Sequence, residues 1–173
     1  MVVIGIDPGV SGAIFVIGDG LKRIVDTPVT RYKSGKKHKT EVDAVALAEA
    51  LAETTGCLTA IRATRDIFAF VENVSARPGQ GVVSMFSFGR SFGVVLGVLA
   101  GLRITATLVQ PAAWKKHFNL LGKDKDASRL LAIKLLGEQG FERKKDNGRA
   151  EAALIAIYGI HLVSLDQVTS SGS

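Results

Sequence analysis

The strongest constraint on the fold lies in the first 29 residues, where three short strand-like runs follow one another with very little chain between them. The runs are VVIGID, GAIFVIGD and LKRIVDTPV, and turns that contain Pro-Gly or Gly-Asp separate them. Runs rich in Val and Ile favour strands, and connections this short join antiparallel neighbours. The sequence therefore predicts a sheet that begins with three sequential antiparallel strands.

The remainder of the chain alternates between helical and strand patterns. Arg31 to Lys39 is predicted to be a basic, glycine-centred loop, and Thr40 is predicted to cap the helix that follows. Two more strands, DIFAFVENV and RITATLVQ, are interleaved with the helices VVSMFSFGRSFGVVLGVLAGL, PAAWKKHF, KDASRLLAIKLLGEQ and GRAEAALIAIYGIHLV. This order predicts one α/β domain over residues 1–163, with a mixed five-stranded sheet, helices on both faces, and a polar tail over residues 164–173.

Basic residues are concentrated in three clusters, RYKSGKKHKT, WKKHFNLLGKDK and FERKKDNGR. The net charge is +6 and the pI is near 9.6. One such cluster is ordinarily a solvated surface, but three clusters in one small domain favour contacts with the phosphates of a polyanionic partner.

The compartment is indicated by features that the sequence lacks. A single cysteine, Cys57, excludes an internal disulfide and suits a reducing environment. No charged segment precedes an apolar one at the N-terminus, as a signal peptide requires. The longest apolar run, Val94 to Leu102, is too short to span a bilayer. We therefore expect a cytoplasmic protein that is not secreted and has no membrane partner.

Four acidic residues stand at the ends of predicted elements. Asp7 ends the first strand, and Glu72 follows an apolar run near the end of the fourth. Asp146 and Glu151 flank the start of the last helix, where a cap and the helix dipole would explain them separately. Glu72 needs a partner, because a carboxylate within an apolar strand is costly to bury. Four acids that converge in a basic protein predict a site for a divalent cation such as Mg²⁺.

Several motifs, taken in order, resemble one known family. They are IGIDPGVSGAI, VENVSARPGQG with FGRSFG after it, QPAAWKKHFNL, GKDKDASRLLA and DNGRAEAALIAIYG. Together they are similar to the RuvC-type Holliday junction resolvases, and most similar to the bacteriophage and poxvirus-like branch, over about Val2 to Ile160. The resemblance implies an RNase H-like fold, a homodimer, and symmetric nicking of four-way and other branched DNA to give 5′-phosphate and 3′-hydroxyl ends. It also implies two Mg²⁺ or Mn²⁺ ions in each active site and no nucleotide cofactor.

The resemblance assigns catalytic and metal-binding roles to Asp7, Glu72 and Glu151. The family's fourth acid is an Asp directly before GRA, where this chain has Asn147, and Asp146 stands one residue earlier. Three interpretations are open. Asp146 supplies the fourth catalytic and metal-binding carboxylate, or Asn147 is a substituted acid that weakens the site, or Asn147 serves only a local turn.

Two further features bear on DNA binding. Bacterial members place an aromatic residue just after the acid of the fourth strand, whereas this chain has Ser75, Ala76 and Arg77. The strict sequence preference of the bacterial enzymes is therefore not implied. The residues predicted to contact DNA are Arg31, Lys33, Lys36, Lys37, Lys39, Arg77, Lys115, Lys116, Lys123, Lys125 and Arg149.

The glycine-rich helix from Val82 to Leu102 is predicted to form the interface of the homodimer, because glycine lets two helices approach closely. Phe86, Phe88 and Phe92 lie on this helix and are assigned to core or dimer packing rather than to stacking on bases. Trp114 is predicted to be buried beneath its helix.

Three other functions fit parts of the sequence. An RNase H-like nuclease that acts on RNA or on ordinary duplex DNA would share the fold and the metal chemistry. A junction-binding protein with weakened catalysis would explain Asn147. An ATP-binding protein of the actin and sugar-kinase type has a similar first phosphate loop, but that architecture needs a second phosphate loop and a longer chain.

Overall fold

The computed structural model describes residues 1–35, 37–55, 66–75 and 79–170. Three residues with sequence-based predictions, Lys36, Cys57 and Arg77, lie outside the described residues. The elements are β1 (Val2–Asp7), β2 (Ala13–Gly18), β3 (Leu21–Asp26), β4 (Val29–Ser34), β5 (Lys37–Val42), α1 (Ala44–Thr55), β6 (Ile67–Glu72), α2 (Val82–Gly101), β7 (Ala106–Val109), α3 (Pro111–His117), α4 (Lys125–Leu136) and α5 (Asn147–Ser170).

Five of the strands form one mixed sheet in the order β3-β2-β1-β6-β7. β1, β2 and β3 are sequential antiparallel neighbours, whereas β6 and β7 add in parallel on the other side of β1. The mixed five-stranded sheet predicted from the sequence is therefore confirmed. β4 and β5 form a separate two-stranded sheet.

Helices cover both faces of the five-stranded sheet, as the sequence predicts. Ile4 and Ile6 of β1 pack in a buried cluster with Leu47 of α1 and Leu99 of α2. Val3, on the opposite side of the same strand, packs in a second buried cluster to which α5 contributes more residues than any other element. This alternation follows the period of two in a β-strand and decides which face each residue of β1 takes.

α5 packs directly on β1 because Gly5 has no side chain. A Cβ at this position would lie 2.1 Å from the carbonyl oxygen of Ala152 and 2.4 Å from the backbone nitrogen of Ala156. Any other residue would push the helix away from the sheet. The close approach fixes the position of α5 above the carboxyl end of β1, where two of the predicted acids lie.

The segment predicted as a loop, Arg31 to Lys39, is instead most of an antiparallel hairpin formed by β4 and β5. Tyr32 pairs with Lys39, and Lys33 pairs with His38. The sequence VTRY at the start of β4 has the β-branched and aromatic residues that favour a strand. The many lysines that follow conceal this preference in the sequence.

The predicted start of α1 is also wrong, because the segment before the helix is the strand β5. Thr40 lies in β5 and pairs with Arg31 of β4, so it does not cap the helix. The cap is Asp43, whose Oδ1 atom accepts hydrogen bonds from the backbone N–H groups of Val45 and Ala46, both at 3.1 Å. A carboxylate in this position satisfies N–H groups that the helix itself leaves unbonded.

α5 extends to Ser170, so the predicted polar tail is helical from residue 164 as far as the structure describes it. Ser164 satisfies its hydroxyl within the helix by donating to the carbonyl oxygen of Ile160 at 2.9 Å. Polar side chains that bond to their own helix in this way do not end it.

Two described helices, α2 and α5, are long and apolar enough to cross a membrane by length and composition. The apolar run Val94 to Leu102, on which the sequence-based expectation rests, belongs to α2 and its C-cap residue, Leu102. α5 is the central helix of the fold, with Ala153 and Leu154 completely buried. α2 packs on the sheet through Val95 and Leu99 and exposes most of its remaining surface.

Candidate active site

Strand alternation brings Asp7 and Glu72 to one face of the sheet. Asp7 has the same parity along β1 as Gly5, which faces α5, and Glu72 has the same parity along β6 as Phe70, which packs in the cluster around α5. β1 and β6 are parallel, with Ile6 opposite Val71, so both strands end at the same edge. The two carboxylates therefore lie side by side beneath α5, as expected from the sequence.

The first turn of α5 brings Glu151 to the same place. A Cβ at Gly148 would lie 2.6 Å from the carbonyl oxygen of Ser11 and 3.2 Å from Oδ2 of Asp7. Glycine at this position therefore lets the helix start directly on the turn that follows Asp7. Glu151 lies one turn further along and acts electrostatically on Asp7.

Its surroundings strongly perturb the carboxyl group of Asp7. Burial has the largest effect on Asp7, and with the charges of Glu151 and Glu72 it raises the pKa of Asp7 from 3.8 to about 7. The backbone N–H of Gly9 and the ammonium group of Lys115 act in the opposite direction but are weaker. A shift of this kind indicates a group of acids with too little positive charge around it.

Glu72 and Glu151 each have a specific partner. Nε1 of Trp114 donates to Oε1 of Glu72 at 3.0 Å, and Trp114 is completely buried, as predicted. Nζ of Lys115 lies 3.3 Å from Oε1 of Glu151 and 4.9 Å from the centre of the Trp114 ring. Among the described residues, no three Asp, Glu, His or Cys side chains are already arranged to hold a metal ion.

The structure does not bring Asp146 to this group, which argues against its predicted role as a catalytic acid and metal ligand. Its carboxylate is almost completely buried and accepts hydrogen bonds from the guanidinium of Arg143, the shortest at 2.6 Å, and from the Arg143 backbone N–H at 2.8 Å. These bonds hold the pKa of Asp146 below its usual range. Asp146 also begins α5, since its carbonyl oxygen accepts from the backbone N–H of Ala150 at 3.0 Å.

Asn147 has the properties of an oxygen donor at the site. Its Oδ1 atom is buried and has no hydrogen-bond partner among the described residues, whereas Nδ2 donates to the carbonyl oxygen of Lys144 at 2.9 Å. The opposite amide orientation would bring two oxygens together, so this orientation is preferred. Asn147 precedes Glu151 by four residues on α5, and residues with that spacing share one helix face. The sequence contains this spacing, which favours Asn147 over Asp146.

The donor set formed by these residues fits a hard divalent cation. Asp7, Glu72 and Glu151 offer carboxylate oxygens, and Asn147 offers a buried amide oxygen that lacks a partner. Mg²⁺ and Mn²⁺ prefer such oxygen ligands. The cleft beside these residues has a volume of about 230 Å³, and Glu72, Phe88 and Lys115 line it.

The predicted DNA-binding residues fall into different environments. Lys115 lies in the site, whereas Arg149 is bound to Asp26 through two hydrogen bonds of 2.5 and 2.7 Å and to the carbonyl oxygen of Gly140 at 3.3 Å. Arg149 therefore has a structural partner, which argues against its predicted role in binding DNA. Arg31, Lys33 and Lys39 are exposed on the β4–β5 hairpin, Lys37 belongs to β5, Lys116 and Lys123 are exposed near α3, and Lys125 begins α4.

Comparison with known proteins supports the resemblance seen in the sequence. No protein-family model matches the chain. A segment of 97 residues, 54% of the chain, is 37% identical to the chloroplastic Holliday junction resolvase MOC1 of Chlamydomonas reinhardtii. The chain covers only 11% of the length of that relative.

Two solved structures are similar over nearly the whole chain. RuvC of Thermus thermophilus in complex with a Holliday junction substrate gives a TM-score of 0.57 at 18% identity and covers 96% of each chain. A second T. thermophilus RuvC structure gives a TM-score of 0.54 at 18% identity, over 94% of this chain and 96% of that one. The chain therefore has the RuvC fold, which confirms the predicted RNase H-like fold.

Proposed function

We propose that this chain is a Holliday junction resolvase, a metal-dependent endonuclease that nicks four-way and other branched DNA. The observation that carries the proposal is the group of Asp7, Glu72 and Glu151 at the carboxyl edge of a RuvC-like sheet, where burial and the charges of the two glutamates raise the pKa of Asp7 to about 7. The segment that is 37% identical to a resolvase supports the same reaction. Because the protein would act on DNA under reducing conditions, we also propose a cytoplasmic location.

The residues present suit the hydrolysis of a phosphodiester. Asp7 and Glu72 would hold one Mg²⁺ or Mn²⁺ ion, and Asp7, Glu151 and Asn147 would hold a second. Such a pair, when bound, lowers the pKa of the attacking water and stabilises charge on the leaving 3′ oxygen. The products would be a 5′ phosphate and a 3′ hydroxyl.

The neighbouring side chains would orient the ligands and the DNA. Trp114 holds one oxygen of Glu72 through its buried N–H, which limits the rotation of that carboxylate. Lys115 lies beside Glu151 and lines the cleft, where its ammonium group would contact the phosphate next to the cleaved bond. The exposed cations of the β4–β5 hairpin would bind phosphates further away, so binding should weaken steeply with salt.

A homodimer would place two such sites on a two-fold axis, which matches a junction that needs two symmetric cuts. α2 is the proposed interface, because a Cβ at Gly89, Gly93 or Gly97 would meet no atom within 4 Å. Val82 and Phe86 extend the same face and are 76% and 73% exposed. This apolar face, free of core contacts, suits the close packing of a second α2.

The function is tested by incubating the purified chain with Mg²⁺ and a panel of a four-way junction, a Y-fork, a flap, a linear duplex and an RNA–DNA hybrid. We expect cuts in the junction and none in the matching duplex. Asp7→Asn should bind the junction but not cut it, whereas Glu53→Gln, at an exposed acid of α1 outside the site, should still cut.

Other outcomes would distinguish the alternatives. Cutting by Asp7→Asn at the wild-type rate would refute the site. Preferential cutting of the hybrid would indicate an RNase H-like nuclease. Binding without cutting by the wild-type chain, with cutting restored by Asn147→Asp, would indicate a junction-binding protein with weakened catalysis.

The dimer is tested by sedimentation of the full chain. Gly93→Glu should convert a dimer into a monomer, because it places two charges at the centre of the α2 face. Val45→Glu, at a residue of α1 that is 69% exposed, is the matched control and should leave the dimer intact. A wild-type monomer at micromolar concentration would contradict the proposed interface.

A further inference from the structure

A groove separates the β4–β5 hairpin from the N-terminal half of α2. Its volume is about 450 Å³. Tyr32 and Lys39 line it from the hairpin, and Val83 and Phe88 line it from α2. Tyr32 and Lys39 are directly opposite each other in the hairpin, so their side chains share the face that points to α2.

The groove is continuous with the candidate active site through Phe88. This residue lines both the groove and the cleft that contains Glu72 and Lys115. A Cβ at Gly9 would lie 3.8 Å from Cε2 of Phe88 and 3.9 Å from Oδ1 of Asp7, so the ring borders the carboxylate cluster. A ligand in the groove would therefore lie next to the position of the cleaved phosphate.

Phe88 and Tyr32 make the groove aromatic, and Lys39 makes it basic. Phe88 is 38% exposed, so of the two packing roles predicted from the sequence, core or dimer interface, it does not fill the first. The charge of Arg90, which also lines the groove, is matched by an ion pair with Glu41, and its guanidinium lies 3.5 Å from the hydroxyl of Tyr32. An aromatic wall beside a cation fits a flat base attached to a phosphate.

A nucleotide fits this groove better than a second copy of the chain does. The net charge of the chain is +6, and the hairpin at the rim carries several of the cations, so two hairpins brought together would repel each other. DNA is attracted to the same cations. Within a duplex, paired bases are stacked on one another and cannot contact an aromatic wall, so the base must be unpaired.

We propose that the groove binds an unpaired nucleotide of the DNA next to the cleaved phosphate, with the base against Tyr32 and Phe88 and a phosphate near Lys39. The inference rests on the proposed nuclease function and specifies the substrate further. Branched DNA with unpaired nucleotides at the branch point would be bound more tightly than a fully paired junction. The groove would thereby select junctions whose centre can open.

The test measures the binding of two junctions that differ only in two unpaired thymidines at the branch point. Asp7→Asn provides a background in which binding is measured without cutting. We expect the junction with unpaired thymidines to bind at least about fivefold more tightly, as stacking of one base on an aromatic side chain would produce. Tyr32→Leu, which keeps an apolar side chain without a ring, should remove this preference, and Tyr32→Phe should retain it.

Two controls keep a general loss of binding separate from the loss of this preference. Leu130→Ala, at a residue of α4 that is 55% exposed, should leave both affinities unchanged. Lys39→Gln should weaken both junctions and reduce the dependence on salt. Equal affinity of the Asp7→Asn background for the two junctions, or a preference that persists in Tyr32→Leu, would overturn the inference. Neither result would affect cleavage by the wild-type chain, which tests the proposed function separately.

Discussion

Two groups of acids lie on either side of the first turn of α5, and their electrostatics are opposite. Burial and neighbouring carboxylates raise the pKa of Asp7 to about 7. Hydrogen bonds from Arg149 and Arg143 instead lower the pKa values of Asp26 and Asp146. This difference shows that a cluster of acidic residues does not by itself identify a cation-binding site. The acids with matched arginines build the structure, and those without enough positive charge can bind a cation.

The matched group, Asp26 and Asp146, holds the unmatched group, Asp7, Glu72 and Glu151, in place. Arg149 connects the end of β3 to the first turn of α5 through Asp26. Arg143 connects the preceding loop to the residue that begins the helix, Asp146. Together these pairs fix where α5 starts, and therefore how Gly148 meets the turn after Asp7. Removal of Arg143 would leave the buried carboxylate of Asp146 uncompensated, which destabilises the fold.

The largest expected effect is on the rate of cleavage, which substitutions in the unmatched group should reduce far more than substitutions in the matched group. Glu72→Gln and Glu151→Gln keep the size of the side chain but remove its charge, and we expect each to reduce junction cleavage by about a thousandfold. Asp146→Asn, in the matched group, should change the rate by less than about threefold in protein that remains folded. Initial cleavage rates at saturating Mg²⁺ provide the measurement. A loss in Asp146→Asn as large as in Glu151→Gln would break the comparison.

The second expected effect is on the free energy of unfolding in the absence of divalent cations, which substitutions in the two groups should change in opposite directions. The folded pKa of Asp7 lies above the unfolded value of 3.8, so its contribution to stability is full below that value and is lost as the pH rises through about 7. Asp7→Asn should therefore stabilise the protein at pH 8 by roughly 2 to 4 kcal/mol, and the gain should shrink toward zero near pH 4. Urea unfolding in chelator at both pH values measures it.

Asp146 provides the opposite control for that experiment. Its folded pKa lies below the unfolded value, so its contribution to stability is present above the unfolded value and is lost as the pH falls through the folded pKa. Asp146→Asn should destabilise the protein at pH 8 by about 1 to 3 kcal/mol, because it leaves the Arg143 donors without a charged acceptor. A stabilisation by Asp146→Asn, or a destabilisation by Asp7→Asn, at pH 8 would contradict the assignment of the two groups.

Loss of the hydrogen bond from Trp114 to Glu72 should have a smaller effect, on the concentration of Mg²⁺ that cleavage requires. Trp114→Phe removes the N–H that bonds to Glu72 but keeps most of the buried ring. Residues that orient a metal ligand affect metal affinity by about 10- to 100-fold, and we expect the lower end of this range. The concentration of Mg²⁺ that gives half-maximal cleavage should therefore rise by about tenfold, while affinity for the junction stays unchanged. An unchanged Mg²⁺ requirement would show that the hydrogen bond does not position Glu72.

The sheet and the two strand acids could be predicted from the sequence, because both depend on local patterns. The period of two places Asp7 and Glu72 on the same face as Gly5 and Phe70 once β1 and β6 are parallel neighbours. The position of Asp146 could not be predicted in this way. It depends on the residue at which α5 starts, because a shift of one residue turns a side chain by about 100° around the helix axis.

Contacts between distant residues account for the other differences. Arg149 lies in a basic cluster of the sequence, but its partner Asp26 is 123 residues away, so the sequence alone gives no sign that the guanidinium is engaged. The β4–β5 hairpin was concealed by its lysines, since these favour no strand by themselves. The sequence predicts that Phe88 packs in the core or at a dimer interface, and only the packing of the hairpin forms the groove that it lines.

The last effect concerns Asn147, which lies on the face of α5 that carries the unmatched acids. Asn147→Asp would add a fourth carboxylate, and one more charge at about 4 Å in a hydrated site strengthens the binding of a divalent cation by about tenfold after screening by salt. Asn147→Ala should weaken binding, because it removes the buried oxygen that has no hydrogen-bond partner among the described residues. Titration calorimetry with Mg²⁺ on Asn147→Asp, Asn147→Ala and Asp146→Asn makes the comparison. If Asp146→Asn changes the affinity as much as the two variants of Asn147 do, the boundary between the two groups of acids lies elsewhere, and Asp146 belongs to the site after all.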